Sequence, residues 1–327
     1  MDKDLLTMEL EFRDIEYVTK IIECGGVSKA AEALHITQPA LSIYIKSLEQ
    51  RLGLTLFSRT GKKIFPTYAA KCLAEQGQEI LFRRSSLQQQ LNDIKNQKQG
   101  LLRIGFSSMR GVSFLPVMLQ NFQKRYPNIE IQYVEQWIEN LEKMLLNNEL
   151  DVAFFDLVDN HEKLACQHIF LDTAVVYISS GLAAKYPIEK RQGYPYPWID
   201  VKKLAGEPFI RNFPEQNTER IARQVFQDNA MSPPVAMRVR NQITSMSLAA
   251  YGYGVYIAPC FFIYNLPQTM RPVMLSFGDT PTRYGIEFVA ATVRGGYISR
   301  AAQNFIELAK EIYGYSMPNP VSGDSSI

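Results

Sequence analysis

The chain has 327 residues, a formal net charge of +2, and 46% hydrophobic and 21% charged residues. This length fits about two domains, and the ordinary composition excludes a collagen-like, low-complexity or heptad-only protein. The segment Met1 to Phe12 carries acidic residues and no apolar core, so we expect no export signal and a cytoplasmic location.

Two neighbouring segments carry opposite charge. Residues 1–32 hold four basic and eight acidic side chains, whereas residues 33–66 hold five basic and one acidic. A positive segment of this kind suits a phosphate backbone. A solvated charge run is the alternative, and charge alone does not decide between them.

Two helices are predicted at the start of the chain. Apolar residues at helical spacing predict the first from Phe12 to Cys24, and Gly25-Gly26 ends the pattern. Alanines favour a second, short helix. We expect Ser28 to cap the start of this helix and His35-Ile36-Thr37 to end it.

A third helix is predicted directly afterwards. Thr37 or Gln38 caps it, Pro39 fits its first turn because a missing amide hydrogen costs nothing there, and Gly53 ends it. Its buried stripe is formed by Leu41, Ile45, Leu48 and Leu52.

Two short helices separated by about three residues, the second with a polar cap, form the layout that places a helix N-terminus in the major groove of DNA. Six residues lie off the buried stripe or in the leading turn: Gln38, Ala40, Ser42, Ile43, Tyr44 and Lys46. We expect these side chains to reach base edges or phosphates.

A two-stranded wing is predicted next. Leu54 to Phe57 and Ile64-Phe65 form its strands around a turn at Gly61. The basic residues near its tip, which suit phosphate or the minor groove, are Arg59, Lys62 and Lys63. A three-helix subdomain that binds no nucleic acid is the alternative.

A long connecting helix is predicted over residues 67–97. One apolar stripe with a seven-residue repeat runs along it, formed by Leu73, Ile80, Leu87 and Ile94, with Leu91 added. Such a stripe needs a partner helix, so we expect a second subunit to pair with it. The alternative is packing against its own wing domain, for which Tyr68, Cys72 and Phe82 are available. Gln97 to Gly100 are predicted as a hinge.

Strands and helices then alternate. Strands are predicted at Leu102 to Ser107, Ile129 to Glu135 and Asp151 to Phe155, and helices at Phe114 to Tyr126 and Ile138 to Asn147. This alternation predicts a mostly parallel sheet with a ligand site beyond the carboxyl ends of its strands. The loops at those ends contain Ser107, Ser108, Arg110, Gln136, Trp137 and Asp156.

A second α/β unit is predicted from Thr173 to Thr269. The chain returns through a strand at Tyr284 to Val293 and a helix at Ser299 to Tyr313, so two subdomains are expected with crossings near Asp172 and Arg271. The stretch Gln242 to Met270 is uncharged and long enough to span a membrane. Its glycines and proline favour a buried helix, a turn and a strand instead.

Three runs carry a resemblance to a known family. They are Ala30-Ala31-Glu32-Ala33-Leu34-His35-Ile36-Thr37-Gln38-Pro39-Ala40-Leu41-Ser42, Ile45-Lys46-Ser47-Leu48-Glu49 and Leu52-Gly53-Leu54-Thr55-Leu56-Phe57-Ser58-Arg59. They resemble the DNA-binding signature of LysR-type transcriptional regulators. The resemblance implies a homodimer or dimer of dimers that binds interrupted palindromes and responds to a small co-inducer.

The resemblance also implies which residues contact DNA. Gln38, Ser42 and Lys46 match the family's contact positions, whereas Ile43 stands where the family usually has Arg or Lys. That departure removes a contact to phosphate or guanine. The full set expected to contact DNA is Ser28, Gln38, Pro39, Ser42, Ile43, Lys46, Arg59, Lys62 and Lys63.

The C-terminal part resembles the same family more loosely. The matching segments are Leu115-Pro116, Phe122, Tyr126-Pro127, Asn148-Glu149-Leu150-Asp151 and Gly252-Tyr253-Gly254-Val255-Tyr256-Ile257-Ala258-Pro259. The family's sensing domain is similar to periplasmic solute-binding proteins, which close two lobes over a ligand. The residues expected to bind the effector are Ser107, Ser108, Arg110, Trp137, Ile138, Arg211, Asn212 and Thr244.

Each of these candidates has an alternative role. The serines are expected to favour an anion at a helix start, with Arg110 adding charge, but they can simply cap the next helix. Arg211 can pair with Glu215, and Trp137 can belong to the core. Ligand identity therefore stays open.

The predicted fold is α+β: a winged helix-turn-helix with a long linker helix, followed by a two-subdomain, periplasmic-binding-protein-like effector domain. The expected bounds are 1–66 for the DNA-binding domain, 67–97 for the linker, 101–313 for the effector domain and 314–327 for a disordered tail. The first lobe takes residues 101–172 and 272–313, and the second takes residues 173–271.

Double-stranded DNA, a second copy of the chain, a small-molecule effector and RNA polymerase are the expected partners, with no membrane. A solute-binding protein and an enzyme are the competing classes. No nucleophile motif or phosphate-binding glycine loop supports an enzyme. The dispersed cysteines and histidines predict no metal and no cofactor.

Overall fold

The computed structural model describes residues 10–60, 63–95, 100–107, 110–158, 161–261, 266–267 and 270–314. The chain forms two compact units, of which the N-terminal one extends to Lys95. Some residues that the sequence predictions name lie outside the described part. They are residues 61–62 of the wing, 97–99 of the hinge, 108 of the first strand-end loop and the tail from 315 onward.

The N-terminal unit contains four helices and a hairpin among the described residues. They are α1 (Phe12–Cys24), α2 (Val27–Ala33), α3 (Gln38–Leu52), β1 (Phe57–Thr60), β2 (Lys63–Pro66) and α4 (Tyr68–Lys95). The predicted first and third helices are confirmed, and left-handed glycines end both: Gly25 has φ +65° and Gly53 has φ +63°. Glycine suits these ends because it adopts positive φ without a Cβ clash.

Two predictions about this unit are wrong in detail. The N-cap of α2 is Gly26, and Ser28 lies inside the first turn rather than capping the helix. The first wing strand lies nearer the tip than the predicted range of Leu54 to Phe57, since β1 begins only at Phe57. Thr67 closes the base of the hairpin, opposite its tip, by donating a hydrogen bond to the Thr55 carbonyl oxygen at 2.8 Å.

Small side chains bring α4 close to α1. A Cβ built at Gly77 would lie 2.2 Å from Ile15 Cγ2, so glycine is required for this approach. Ala70 and Ala74 are buried on the same helix. Tyr68 and Cys72 are exposed, so the alternative in which they pack against the wing domain is wrong for these two residues.

The apolar stripe of α4 stays exposed along the middle of the helix. Ile80, Leu87 and Leu91 are 45%, 55% and 56% exposed. Their spacing places them on one face of the helix. This face is available to a partner helix.

The C-terminal unit alternates strands and helices. Its elements are β3 (Gly100–Ser107), α5 (Arg110–Arg125), β4 (Ile129–Gln136), α6 (Ile138–Leu146), β5 (Val152–Leu157), β6 (Leu164–Ile178), α7 (Ser180–Ala183), β7 (Phe209–Arg211), α8 (Asn217–Asp228), β8 (Val235–Arg238), α9 (Gln242–Ala250), β9 (Tyr256–Pro259), β10 (Val273–Leu275), β11 (Gly285–Val293) and α10 (Arg300–Tyr313).

One mixed sheet runs through both lobes of this unit. Its order is β10-β6-β11-β5-β3-β4, and β9 also pairs with β6. Among the described strands of this sheet, only the pairs β3–β4 and β3–β5 are parallel, which corrects the expectation of a mostly parallel one. The reason is the crossing itself: β6 leaves the first lobe and β11 re-enters it, so they run in opposite directions.

The pairing of β6 marks the two crossings. Its first part pairs with β11 as far as Thr173, and Ala174 onward pairs with β9. The chain returns to the first lobe at Gly285, which pairs with Thr173, and not near Arg271 as predicted. Residues 273–275 first add the short strand β10 to the second lobe, and three residues are too few to signal a strand in the sequence.

Each lobe has its own apolar core. Phenylalanines dominate the first, where Phe106, Phe114, Phe154 and Phe288 are fully buried and their rings contact one another. Each buried ring of this size stabilises the fold by about 1.5–3 kcal/mol. The uncharged stretch forms α9, a turn and β9 in the second lobe, as predicted.

Candidate functional site

The N-terminal turn of α3 presents a polar surface. The Thr37 side chain accepts a hydrogen bond from the Ala40 amide, and Pro39 lies in the first turn. Leu41, Ile45 and Leu48 are buried on the inner side. The opposite side therefore faces away from the core of the unit.

The outward residues of α3 form what we call the reading face: Gln38, Pro39, Ser42, Ile43 and Lys46. Gln38 Nε2 donates a hydrogen bond to Ser42 Oγ at 2.8 Å, one turn along the helix. Ile43 is 70% exposed, and Lys46 is also exposed. An amide, a hydroxyl and an ammonium group can contact base edges and phosphates.

Tyr44 does not belong to the reading face, contrary to the sequence prediction. Its hydroxyl donates a hydrogen bond to Asp14 Oδ1 at 2.8 Å, and Arg51 Nη2 lies 2.5 Å from the same oxygen. Burial and Asp14 raise the pKa of Tyr44 to about 12. Asp14 thus fixes α3 against α1.

Glu49 connects α3 to the wing. Its Oε1 accepts hydrogen bonds from the amides of Leu56 and Phe57, at 2.7 and 3.0 Å. The wing therefore starts from a fixed point on the recognition helix. In the hairpin, Arg59 pairs with Ile64 and Thr60 pairs with Lys63, whereas Lys62 lies outside the described residues.

A cleft of about 700 Å³ lies in the C-terminal unit. It is lined by Ser107, Gln136, Trp137, Ile138, Glu139, Glu142, Asp156, Val158, His161, Glu215, Gln216, Asn217, Arg240, Asn241 and Gln242. Residues from both lobes contribute, and the volume fits a small organic molecule.

Three of the expected effector residues lie in the cleft wall: Ser107, Trp137 and Ile138. Trp137 is 54% exposed, so it is not part of the core. Thr244 is exposed in the first turn of α9, where its amide donates to Asn241 Oδ1 at 3.0 Å. It is absent from the described lining, and Ser108 lies outside the described residues.

Arg110 is buried below the cleft and does not line it. Its Nε donates to Asp156 Oδ1 at 2.8 Å, and its Nη1 lies 2.5 Å from Asp172 Oδ2. Burial alone would lower the pKa of Arg110, but the two carboxylates raise it above its ordinary value. The expectation that Arg110 offers its charge directly to a ligand is corrected, because the chain's own carboxylates bind it.

Arg211 and Asn212 also have partners within the protein. Arg211 pairs with Glu219, and not with Glu215 as the sequence alternative proposed. Asn212 is buried, and its Oδ1 accepts hydrogen bonds from Thr218 Oγ1 and the Tyr256 hydroxyl. Both residues stabilise the second lobe instead of lining the cleft.

Two family models match the chain. The model described as "LysR substrate binding domain" matches residues 95–313, and "Bacterial regulatory helix-turn-helix protein, lysR family" matches residues 12–71. The chain belongs to the LysR family of transcriptional regulators. This LysR-type regulator combines a DNA-binding helix-turn-helix with an effector-binding domain, and its family consists of regulators, not enzymes.

Proteins that are similar in sequence, and that are named as transcriptional regulators, support the same family assignment. The uncharacterized HTH-type transcriptional regulator YcgK of Bacillus subtilis is 28% identical, over 92% of this chain and 94% of its own length. The HTH-type transcriptional activator CmpR of Synechocystis sp. is 27% identical, over 72% of this chain and 74% of its own.

Solved structures of regulators share the fold. A variant of full-length OxyR from Pseudomonas aeruginosa aligns with a TM-score of 0.65 at 17% identity, covering 94% of this chain and 96% of its own. Full-length CbnR in complex with its target DNA aligns with a TM-score of 0.57 at 17% identity, covering 92% and 99%.

The part of the chain that the structure describes offers neither a membrane span nor a metal cluster. None of its helices has the length and apolar character needed to cross a bilayer. Within that same part, no cluster of three or more His, Cys, Asp or Glu side chains could bind a metal ion.

Sequence reasoning missed most of the charged residues of the regulator's cleft. Asp156 was marked by its place at the end of a predicted strand. Glu142 and His161 face each other at 3.3 Å, and Glu215 and Arg240 at 2.8 Å. Residues 161, 215 and 240 lie in loops, which carry no periodic signal, so only the folded chain brings them together.

Proposed function

We propose that two copies of this regulator bind an interrupted palindromic DNA site through the reading face of α3. The observation that carries this proposal is the separation of α3 into a buried apolar side and a polar N-terminal side. One recognition helix reads too few base pairs to be selective, whereas two helices read both halves of a palindrome. The basic wing adds phosphate contacts.

The exposed stripe of α4 supports pairing of two copies. Ile80, Leu87 and Leu91 offer an apolar surface on a 28-residue helix. Burying such a stripe against an equivalent helix removes apolar surface from water. We propose that α4 holds the two DNA-binding units together, in a dimer or a dimer of dimers.

The cleft supplies the regulatory input in this proposal. A small molecule bound between the lobes favours one of two arrangements of the dimer, because its affinity for the two arrangements differs. The arrangement determines how the two reading faces meet DNA. The protein acts in the cytoplasm, and contact with RNA polymerase completes the proposed response.

DNA binding is tested by measuring the affinity of the purified protein for its own upstream DNA over a range of salt concentrations. Gln38→Ala is expected to cost about 1–3 kcal/mol in specific binding, since it removes a base-reading amide. Gln50→Ala is the matched control, because Gln50 is exposed at the far end of α3. Equal losses in both variants, or no preference over random DNA, would contradict the proposed reading face.

Pairing through α4 is tested by analytical ultracentrifugation. Leu87→Glu places a charge in the exposed stripe and should shift the protein toward the monomer. Gln88→Glu adds the same charge one residue away, off the stripe, and should leave the oligomer intact. If both variants sediment like the wild type, α4 is not the dimer contact.

A further inference from the structure

The described walls of the cleft carry an excess of negative charge. Four carboxylates line it, from Glu139, Glu142, Asp156 and Glu215, against a single arginine, Arg240. Protonation of His161 would add one positive charge and still leave the carboxylates in excess. A low-dielectric cleft with one sign of charge concentrates ligands of the opposite sign.

Two arginines of the described cleft region, Arg240 and Arg110, have carboxylate partners within the protein. Arg240 Nη2 lies 2.8 Å from Glu215 Oε1. Arg110 forms ion pairs with both Asp156 and Asp172, so one guanidinium group is shared by two carboxylates. Glu139 is exposed in the first turn of α6. An anionic ligand would therefore compete with the protein's own carboxylates for Arg240 in the described wall and for the buried Arg110.

The apolar part of the cleft suits the same kind of ligand. The half-exposed indole of Trp137 lies in the wall together with Ile138 and Val158. An indole face attracts an organic cation by about 0.5–2 kcal/mol, depending on desolvation. Flat or aliphatic groups of a ligand can pack against the two aliphatic side chains.

Helix N-termini at the cleft act in the opposite direction. Helices α6, α8 and α9 begin there, and each N-terminus is equivalent to about half a positive charge. In α6 and α8 the first turn already contains a carboxylate, from Glu139 and Glu219 respectively. The full charges of the wall thus outweigh the remaining partial charges.

We propose that the cleft binds an organic cation, an amine, amidine or guanidinium with a compact apolar body. Asp156 and Glu142 pair with its charged group, and Trp137 packs against its body. This inference rests on the proposed role of the cleft as the effector site. It replaces the anion that the serines and Arg110 suggested from sequence.

A cation at Asp156 also reaches the crossing between the lobes. Asp156 shares Arg110 with Asp172, a residue of the crossing strand β6. Asp172 Oδ1 in turn accepts hydrogen bonds from Cys260 Sγ at 3.4 Å and the Phe261 amide at 3.2 Å. A second cation on Asp156 weakens its hold on Arg110, so binding changes the forces at the crossing.

The test compares benzamidine with benzoate, two flat probes of similar size and opposite charge. Trp137 and Trp198 are the two tryptophans of the chain, so Trp198→Phe leaves Trp137 fluorescence as a direct report on the cleft. We expect benzamidine to bind about tenfold more tightly than benzoate, a difference of about 1.4 kcal/mol. Calorimetry on the wild-type protein gives the same comparison if Trp198→Phe is unstable.

Neutral variants locate the binding. Asp156→Asn and Glu142→Gln should each weaken benzamidine severalfold, whereas Glu311→Gln, on the exposed surface of α10, should not. Quenching of Trp137 by caesium should exceed quenching by iodide, relative to free tryptophan. Tighter binding of benzoate, absence of benzamidine binding at millimolar concentrations, or equal affinity in all variants would overturn the inference.

The same titration separates this inference from the proposed function. If benzamidine binds in the cleft but leaves DNA affinity unchanged, the cationic preference stands and the regulatory role of the cleft fails. If benzoate binds there and alters DNA affinity, the regulatory role stands and the cationic preference fails.

Discussion

An arginine pairs with a buried aspartate in each unit of the molecule, but the surroundings of the two guanidinium groups differ. In the N-terminal unit Asp14 is fully buried, whereas the Arg51 side chain is 37% exposed. In the C-terminal unit the side chains of both Arg110 and Asp172 are almost completely buried, at 1% and 0% exposure. Water can solvate Arg51 after a partner is lost, and it cannot do so for Arg110.

The difference shows how one kind of ion pair performs two tasks. The Asp14 cluster, formed by Asp14 of α1 with Tyr44 and Arg51 of α3, holds these two helices of the N-terminal unit together. The Arg110 cluster joins α5, the end of β5 and the crossing strand β6, and its Asp156 also faces the cleft. The first cluster therefore sets the position of α3, and the second connects a ligand-facing carboxylate to the boundary between lobes.

The largest effect is expected from Arg110→Leu. This change leaves Asp156 and Asp172 close together without their cation, and losing one partner of a buried pair costs about 3–5 kcal/mol. Urea unfolding followed by tryptophan fluorescence measures it, since Trp137 and Trp198 both belong to the C-terminal unit. Both tryptophans therefore report on the unit that carries the mutation.

Arg125→Leu is the matched control for this prediction. Arg125 forms a two-bond ion pair with Glu311 on the surface, at 2.7 Å for each bond. Solvent screening makes such pairs weak, so little change in the free energy of unfolding is expected. Equal losses from Arg110→Leu and Arg125→Leu would show that burial of the guanidinium is unimportant.

A smaller effect is expected from Asp14→Ala. It removes the acceptor shared by the Tyr44 hydroxyl, Arg51 and the Glu11 amide, at a cost of about 2 kcal/mol, because Arg51 can turn to water. Tyr44→Phe removes one of these bonds and should cost about 1 kcal/mol. Hydrogen exchange of α1 and α3 measures both, and a larger loss from Tyr44→Phe would contradict the central role of Asp14.

The helices of the DNA-binding unit were predictable because local signals determine them. The bounds of α1 and α3 follow from signals that lie within a few residues of the helix ends: the apolar spacing, Pro39, and the glycines at 25 and 53. The Tyr44–Asp14 contact was not predictable in this way, because the two residues are 30 positions apart. A helical wheel shows that Tyr44 lies off the apolar stripe, but it does not show that Tyr44 contacts the buried carboxylate of Asp14.

The cleft was less predictable for the same reason. Strand ends marked Ser107, Trp137 and Asp156, since the carboxyl ends of neighbouring strands meet at one edge of a sheet. The partner of Arg110 across the crossing, Asp172, lies 62 residues away, and the loop residue Arg240 carries no pattern. Charge balance in a cleft depends on such distant pairs, so its sign emerged only from the fold.

The smallest effect is a pH dependence from Asp156. Burial raises its pKa above the ordinary value of 3.8, against the lowering effect of Arg110. The folded protein therefore keeps this proton to higher pH than the unfolded chain does. Its contribution to stability is complete below the unfolded pKa and is lost as the pH rises through the folded pKa.

Asp156→Asn removes this titration, so the free energy of unfolding of the wild type minus that of the variant should fall as the pH rises from below 3.8. Urea titrations at a series of pH values, followed by tryptophan fluorescence, measure the difference. A difference that rises with pH would mean that Arg110 outweighs burial and holds Asp156 ionised. Asp156 would then be held mainly by its arginine, as Asp14 is held by Arg51.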